Sequence, residues 1–245
     1  LKIPQIYTKP FGVHAVLVEW PVEVSELILN KILQFESFLK IQCLEDANWE
    51  YVSAYNSLLV VNTKTTIDYV SFSEKLQHWY ASMGEAKPYQ GHLWRLPVSY
   101  DQEFGIDLDD ISIQLKIEIS ELIRLHTSHV YTVYGIGFLP GFMYLGGLPA
   151  VLETSRKATP RLKVIKGAVG IAGKQTGVYP QESPGGWNIV GNCPVPIFDA
   201  TKKEPCFVSV GDQIQFYKVS RAKYDLHKIE VEVGIYQPEK IQIDA

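Results

Sequence analysis

GAVGIAGKQTGVYPQESPGGW, residues 167–187, breaks its short apolar runs with glycine or proline every few positions. Short runs separated by turn residues read as the strands of an antiparallel barrel or sandwich. Glycine has no Cβ, so it also lets the backbone take positive φ or come close to a ligand or a neighbouring strand. Moving outward, GFLPGFMYLGG (137–147) has the same texture, and residues 135–191 hold 12 of the chain's 18 glycines. Pro140, Pro180 and Pro184 stiffen these loops, while Tyr144, Tyr179 and Trp187 offer flat faces with polar tips, suited to a pocket wall. The window carries Arg156, Lys157, Arg161, Lys163, Lys166 and Lys174 against Glu153 and Glu182, a net of +4 from six cations and two anions. The whole chain is at −4. A basic, glycine-rich pocket on an acidic protein points to a small anionic ligand rather than to nucleic acid.

The same rhythm extends on both sides. Strands are expected at 130–136, 164–172, 187–191, 206–210, 213–219 and 229–236, with Gly211-Asp212 as a hairpin turn. WRLPVSY (94–100) opens this unit, and 107–126 reads as two short helices. Asp107, Asp109 and Asp110 stand at the first helix N-terminus, where the macrodipole favours negative charge. Upstream, VHAVLVEW (13–20) reads as a strand, followed by a helix capped by Ser25 with Ile28, Ile32, Phe35 and Leu39 on one face. Two strands near 49–55 and 58–62 and a helix near 67–83 complete a β-α-β-β-α sandwich. Gly84, Pro88 and Gly91 mark a boundary between an N-terminal α+β domain (1–87) and a β domain (88–245).

Composition narrows the function classes. Of 245 residues, 46% are hydrophobic and 20% charged, ordinary for a globular protein. A pI near 5.9 argues against a general nucleic-acid or membrane surface. Cys43, Cys193 and Cys206 are odd in number and lack CxxC spacing, which fits reduced thiols in a cytoplasmic protein. No apolar run approaches the length that spans a bilayer.

Four catalytic signatures can be tested by spacing. Between Gly167 and the Gly173-Lys174 pair lie five residues where a Walker loop has four, and Gln175 replaces its hydroxyl residue. Gly135-x-Gly137 lacks the third glycine of a dinucleotide fingerprint. Ser183 half-matches a nucleophile elbow, but the next residue, Pro184, has no N–H to stabilise an oxyanion. His126 and His129 have no third ligand nearby for a metal, so an acid or base role for one of the two is the better chemical reading, with His126 otherwise a capping or core histidine at the end of its helix. Arg161, held by the Thr159-Pro160 turn, suits a clamp on carboxylate or phosphate.

Taken in order, AYNSLLVV (54–61), LHTSHVYTVYGIGFLPGFMYLGGL (125–148), ATPR (158–161), GAVGIAGKQTGVYPQESPGGWNIVG (167–191), PIFD (196–199) and VGDQIQF (210–216) resemble the KipI / allophanate hydrolase subunit 1 family, the B subunits (PxpB) of bacterial 5-oxoprolinase. The resemblance implies a ferredoxin-like α/β sandwich followed by a cyclophilin-like antiparallel β-barrel, an α+β protein overall. It implies a sister subunit of the KipA/PxpC type and a third subunit of the PxpA type. Together these open the lactam of 5-oxo-L-proline to glutamate at the expense of ATP with Mg2+, with no cofactor bound tightly in this chain. On that reading His126 and Lys174 are the expected catalytic residues. The expected substrate-binding residues are Arg161, Gln175, Thr176, Tyr179, Ser183, Trp187, Phe138 and Tyr144, lining a pocket with His126 near its edge. Related paired domains form the carboxyltransferase of urea carboxylase, so an amidohydrolase- or carboxyltransferase-like subunit is one alternative. An inhibitor docked on a sensor histidine kinase is another, from the origin of the family's name.

Overall fold

The computed structural model describes residues 5–84, 89 and 91–242. Pro88, part of the expected boundary, lies outside them, and two compact units divide between residues 90 and 91.

In the first unit, β1 (Tyr7–Phe11) turns at Gly12 into β2 (Ala15–Glu19), and α1 (Glu26–Phe38) follows. Ser25 sits at the N-cap of α1, but its hydroxyl makes no capping bond. Ile28, Leu29, Ile32, Leu33 and Phe35 form the buried stripe. A π-helical turn (Leu39–Cys43) leads to β3 (Trp49–Ala54), β4 (Ser57–Asn62) and α2 (Tyr69–Ser82). The sheet is antiparallel in the order β1-β2-β4-β3. β1 is absent from the expected order because Pro10 and Gly12 read as a turn. Its own burial is slight, so no alternating pattern marks it. Trp20, Phe35 and Tyr80 meet edge to face in the core, and the Trp20 indole donates to the Tyr80 hydroxyl at 3.0 Å.

The second unit begins with β5 (His92–Val98), α3 (Leu108–Leu115) and α4 (Ile119–Ser128), the two helices falling within the expected 107–126 stretch and its margin. Strands β6 (Val130–Ile136), β7 (Met143–Gly146), β8 (Arg161–Val164), β9 (Ala168–Ala172), β10 (Gln175–Val178), β11 (Ser183–Gly185) and β12 (Asn188–Asn192) follow. Then come β13 (Gln213–Lys218), α5 (Arg221–Glu232) and β14 (Glu239–Gln242). Eight strands make one sheet, ordered β12-β9-β10-β7-β6-β13-β5-β14, while β11 and β8 pair separately.

Three expectations are corrected here. The sheet is mixed rather than antiparallel throughout, because β13 runs parallel to β5 over Gln213–Lys218. It also does not close through a full ladder. One bridge, Ser99 to Asn192, hydrogen-bonded both ways at 2.9 Å, links the end of β5 to β12. Finally, 206–210 forms no strand, and 229–236 holds the end of α5 (to Glu232) followed by a turn, with no strand. The alternation in IEVEVGI imitates a strand, yet α5 buries Tyr224 and His227 three residues apart and is capped by Ser220, which accepts from the Lys223 amide at 3.3 Å. Gly211-Asp212 forms a turn but not the expected hairpin, since no strand precedes it, and the Asp212 carboxylate ties it to β5, accepting from the His92 amide, the Trp94 indole and the Ser209 amide, each at 2.9 Å. The main core gathers Trp94, Leu96, Tyr131, Val133, Leu145, Ile171 and Phe216 inside the curled sheet.

Candidate functional site

The glycine-dense block builds a smaller apolar cluster centred on Phe142. Ring centroids of Tyr144, Tyr179 and Trp187 lie 4.9, 5.3 and 5.3 Å from Phe142, and Phe138 lies at 5.8 Å. Two glycines make this packing possible. A Cβ on Gly177 would stand 2.7 Å from the Met143 carbonyl and against the Trp187 ring. One on Gly185 would overlap the Tyr179 hydroxyl. The aromatic residues expected as pocket wall are thus brought together, but Tyr179 and Trp187 are buried and Phe138 stands 65% exposed with φ at +66°.

Cations border this cluster. The Arg156 guanidinium lies over the Trp187 ring, 6.0 Å from its centroid. Burial raises the Tyr179 phenol, while the Trp187 backbone and the charges of Arg156 and Arg161 pull it down. Arg161 and Lys157 converge on one carboxylate, that of Asp107: Arg161 Nη2 donates to Oδ1 at 2.6 Å and Lys157 Nζ lies 2.7 Å from the same oxygen. The Ile189 amide donates to Oδ2 at 2.7 Å, and the Asp107 amide donates back to the Ile189 carbonyl at 3.0 Å. Asp107 is only 1% exposed. Burial pushes its carboxyl up, but the hydrogen bonds from Arg161, Lys157 and Ile189 outweigh it and hold the group below the usual carboxylate range. In the sequence Asp107 reads as one of three acids at a helix start. The missed signal is that Lys157 and Arg161, three and one residues from Pro160, need a common counter-ion.

The other expected residues separate into different places. His126 is fully buried in the core rather than at a pocket edge. Its Nε2 is 2.9 Å from Thr176 Oγ1, its Nδ1 is 2.7 Å from the Tyr100 hydroxyl, and its ring stacks on Phe216. Thr176 donates to the Gly170 carbonyl at 3.0 Å, so it accepts from His126 Nε2–H, and Nδ1 accepts from Tyr100. Burial, with His129 nearby, pushes His126 down to about 3, so the ring is neutral across the physiological range. Lys174 stands exposed at the β9–β10 turn, where Gly173 takes φ of +56°. Gln175 follows it at the start of β10, paired with Ala172 and Gly146. Ser183 lies in β11 opposite Val164, its hydroxyl donating to the Pro184 carbonyl at 3.1 Å. Among the described residues no group of three His, Cys, Asp or Glu side chains is placed to hold a metal ion, and no helix is long and apolar enough to cross a membrane.

Residues 6–208 match the family described as carboxyltransferase domain, subdomain C and D, and the chain belongs to that family. It is 40% identical over 207 residues to the B subunit of 5-oxoprolinase from Haemophilus influenzae, covering 84% of this chain and 95% of the relative. The protein of the same name from Escherichia coli O157:H7 is 36% identical over 167 residues, covering 68% and 76%. These relatives bear out the resemblance to the PxpB family drawn from the sequence.

Among solved structures, a conserved uncharacterized protein from Pyrococcus horikoshii is 35% identical, with a TM-score of 0.53, and is covered along 100% of its length by 89% of this chain. The urea carboxylase of Kluyveromyces lactis shares the fold at a TM-score of 0.77 and 17% identity. It is matched by 98% of this chain, which spans 24% of that enzyme.

Proposed function

We propose that this chain is the B subunit of a cytoplasmic, ATP-dependent 5-oxoprolinase that works with a sister barrel subunit and a third subunit. The observation that carries the reading is the 40% identity to a relative of that name along 95% of its length. On this reading the second unit is a cyclophilin-like barrel and the first a ferredoxin-like sandwich. The curled eight-stranded sheet with its Ser99–Asn192 bridge supports the former, and two helices sharing a core with an antiparallel four-stranded sheet support the latter.

A lactam is a poorly electrophilic amide. Transfer of a phosphoryl group from ATP to the lactam oxygen yields an imidate-like phosphate, which water attacks at carbon. Cleavage of the ring C–N bond, with protonation of the departing amine, leaves an acyl phosphate, and a second water hydrolyses it to glutamate and phosphate, ADP having left in the first step. Such a site needs cations for the substrate carboxylate and donors for developing oxyanion charge. Arg161 meets the first need. On this reading Lys174, exposed at its turn, acts across an interface with the sister subunit, together with Gln175. His126, neutral and enclosed, supports Thr176 from behind rather than meeting substrate.

The test is reconstitution with both partner subunits, measuring glutamate formation and oxoproline-dependent ATP hydrolysis. The wild-type complex forms glutamate and ADP in equal amounts, and Lys174→Ala or Arg161→Ala abolishes both. A wild-type complex that forms no glutamate would sink the reading.

A further inference from the structure

Arg161 engages Asp107 through Nη2, but its Nη1 is buried and has no hydrogen-bond partner among the described residues. Buried polar atoms are kept unpaired only rarely, and a guanidinium N–H is a strong donor awaiting an acceptor. Arg161 also lines a cavity of about 140 Å³ whose other walls are apolar: Phe104, Ile106, Val164, Ile165, Ala168 and Ile189. The two remaining charged residues at this cavity are about half exposed or more, so solvent weakens their influence, and each also has a partner. Lys163 pairs with Glu182 at 2.8 Å, and Glu103 pairs with Arg221.

Charge counting then specifies the ligand. Asp107 supplies one negative charge against the two positive charges of Lys157 and Arg161, leaving one cation in excess. Asp110 lies 3.7 Å from Lys157 but is 76% exposed, where solvent weakens its influence. One uncompensated cation beside an apolar chamber of this size matches a small molecule with one carboxylate and a compact carbon body. A phosphate dianion would be left without its second counter-charge and would meet apolar walls.

We propose that this cavity binds a small monocarboxylate, whose oxygen accepts from Arg161 Nη1 while its carbon skeleton lies against Ile106, Val164 and Ile165. Asp107 is the positioning residue: it fixes the guanidinium through Nη2 and so aims Nη1. The choice of 5-oxo-L-proline as the occupant rests on the functional reading above. The site assigns the substrate carboxylate to this chain and leaves the phosphoryl group to be held elsewhere.

The test is equilibrium binding to the full chain by calorimetry, with 5-oxo-L-proline, its uncharged carboxamide and inorganic phosphate as probes. The acid binds, the carboxamide binds at least tenfold more weakly, and phosphate does not displace the acid. Arg161→Ala weakens binding of the acid at least tenfold, and Arg161→Lys does not restore it, since one ammonium cannot reach both Asp107 and the ligand in the same fork geometry. Ile106 lines the cavity and is 53% exposed, so Ile106→Trp fills the cavity from its rim. It also weakens binding, with an unchanged unfolding transition, whereas Leu162→Ala, at a residue 91% exposed and outside the cavity lining, has no effect.

Asp107→Asn weakens binding only through Arg161, so the double variant Asp107→Asn/Arg161→Ala binds no more weakly than Arg161→Ala alone. A purely structural role would make the two losses add. Failure of the acid to bind, equal binding of acid and carboxamide, competition by phosphate, or wild-type binding by Ile106→Trp or Arg161→Ala would each overturn the assignment. If the reconstituted complex still converts oxoproline in those circumstances, the functional reading stands and only the cavity falls. If the wild-type complex converts none, the functional reading falls, and the comparison of acid with carboxamide still decides the cavity.

Discussion

His126 and Asp107 are both buried, and their surroundings drive them to opposite charge states. Asp107 keeps its charge because three donors replace water. His126 loses its charge because burial strips the ring of water and His129 lies nearby, while Tyr100 and Thr176 satisfy the neutral form. The folded pKa of His126, about 3, lies below the ordinary histidine value. As pH falls below about 6.5, the unfolded chain therefore takes up a proton that the folded chain refuses, and stability is lost down to about pH 3. Each pH unit in that window costs about 1.4 kcal/mol from this residue. Urea denaturation at pH 7 and pH 5 should show a larger drop for wild type than for His126→Gln, and equal drops would contradict the buried-neutral assignment. Gly177→Ala is expected to cost about 1–3 kcal/mol, because its new methyl group has the Met143 carbonyl in the way. A thermal unfolding curve superimposable on wild type would refute that packing.

Among the elements, α5 and the Asp212 turn show how a local pattern can mislead or inform. The segment 229–236 alternates like a strand, yet Ser220 starts a helix and Tyr224 anchors it by donating from its hydroxyl to Asn192 Oδ1 at 2.8 Å. Ser220→Ala is expected to lower stability by about 1 kcal/mol, read from the urea midpoint. The turn at Gly211-Asp212 was legible from its dipeptide, but the carboxylate's three partners were not, since His92 and Trp94 lie far away in sequence. Asp212→Ala leaves those donors unpaired and should cost about 3 kcal/mol or more, measured by the same denaturation. An effect within experimental error would mean that water substitutes for the carboxylate. Both α5 and β14 fall beyond the family match at 6–208.

At the scale of the molecule, the chain divides into two units at residues 90 and 91. If the division is one of folding as well as of packing, residues 88–245 expressed alone should unfold in a single cooperative transition. A chain segment that stays unfolded would argue against independent domains. The exposed Lys174 and the enclosed His126 together predict that the isolated chain hydrolyses no ATP in response to oxoproline and gains that activity only with its partner subunits. Activity in the chain alone would contradict the proposal that Lys174 works at an interface.

By itself the sequence determined the local elements and the family. Local patterning marked β5, β6, β9, β12 and β13 but missed β7, β10, β11 and β14, helical spacing marked α1, and long ordered segments pointed to the PxpB relatives. Those signals are local because backbone freedom, periodicity and turn chemistry act over a few residues. Tertiary structure alone decided which charges meet. Arg161 stood out for its rigid turn, but its carboxylate partner lies more than fifty positions earlier, at the start of α3. His126 became a closed core residue because Tyr100 and Thr176 reached it from separate strands or loops. The glycine-dense block thus announced a tightly packed, basic region, and the folded chain decided which cation keeps a donor unpaired. Charge pairing and burial depend on distances that no local pattern in the sequence encodes.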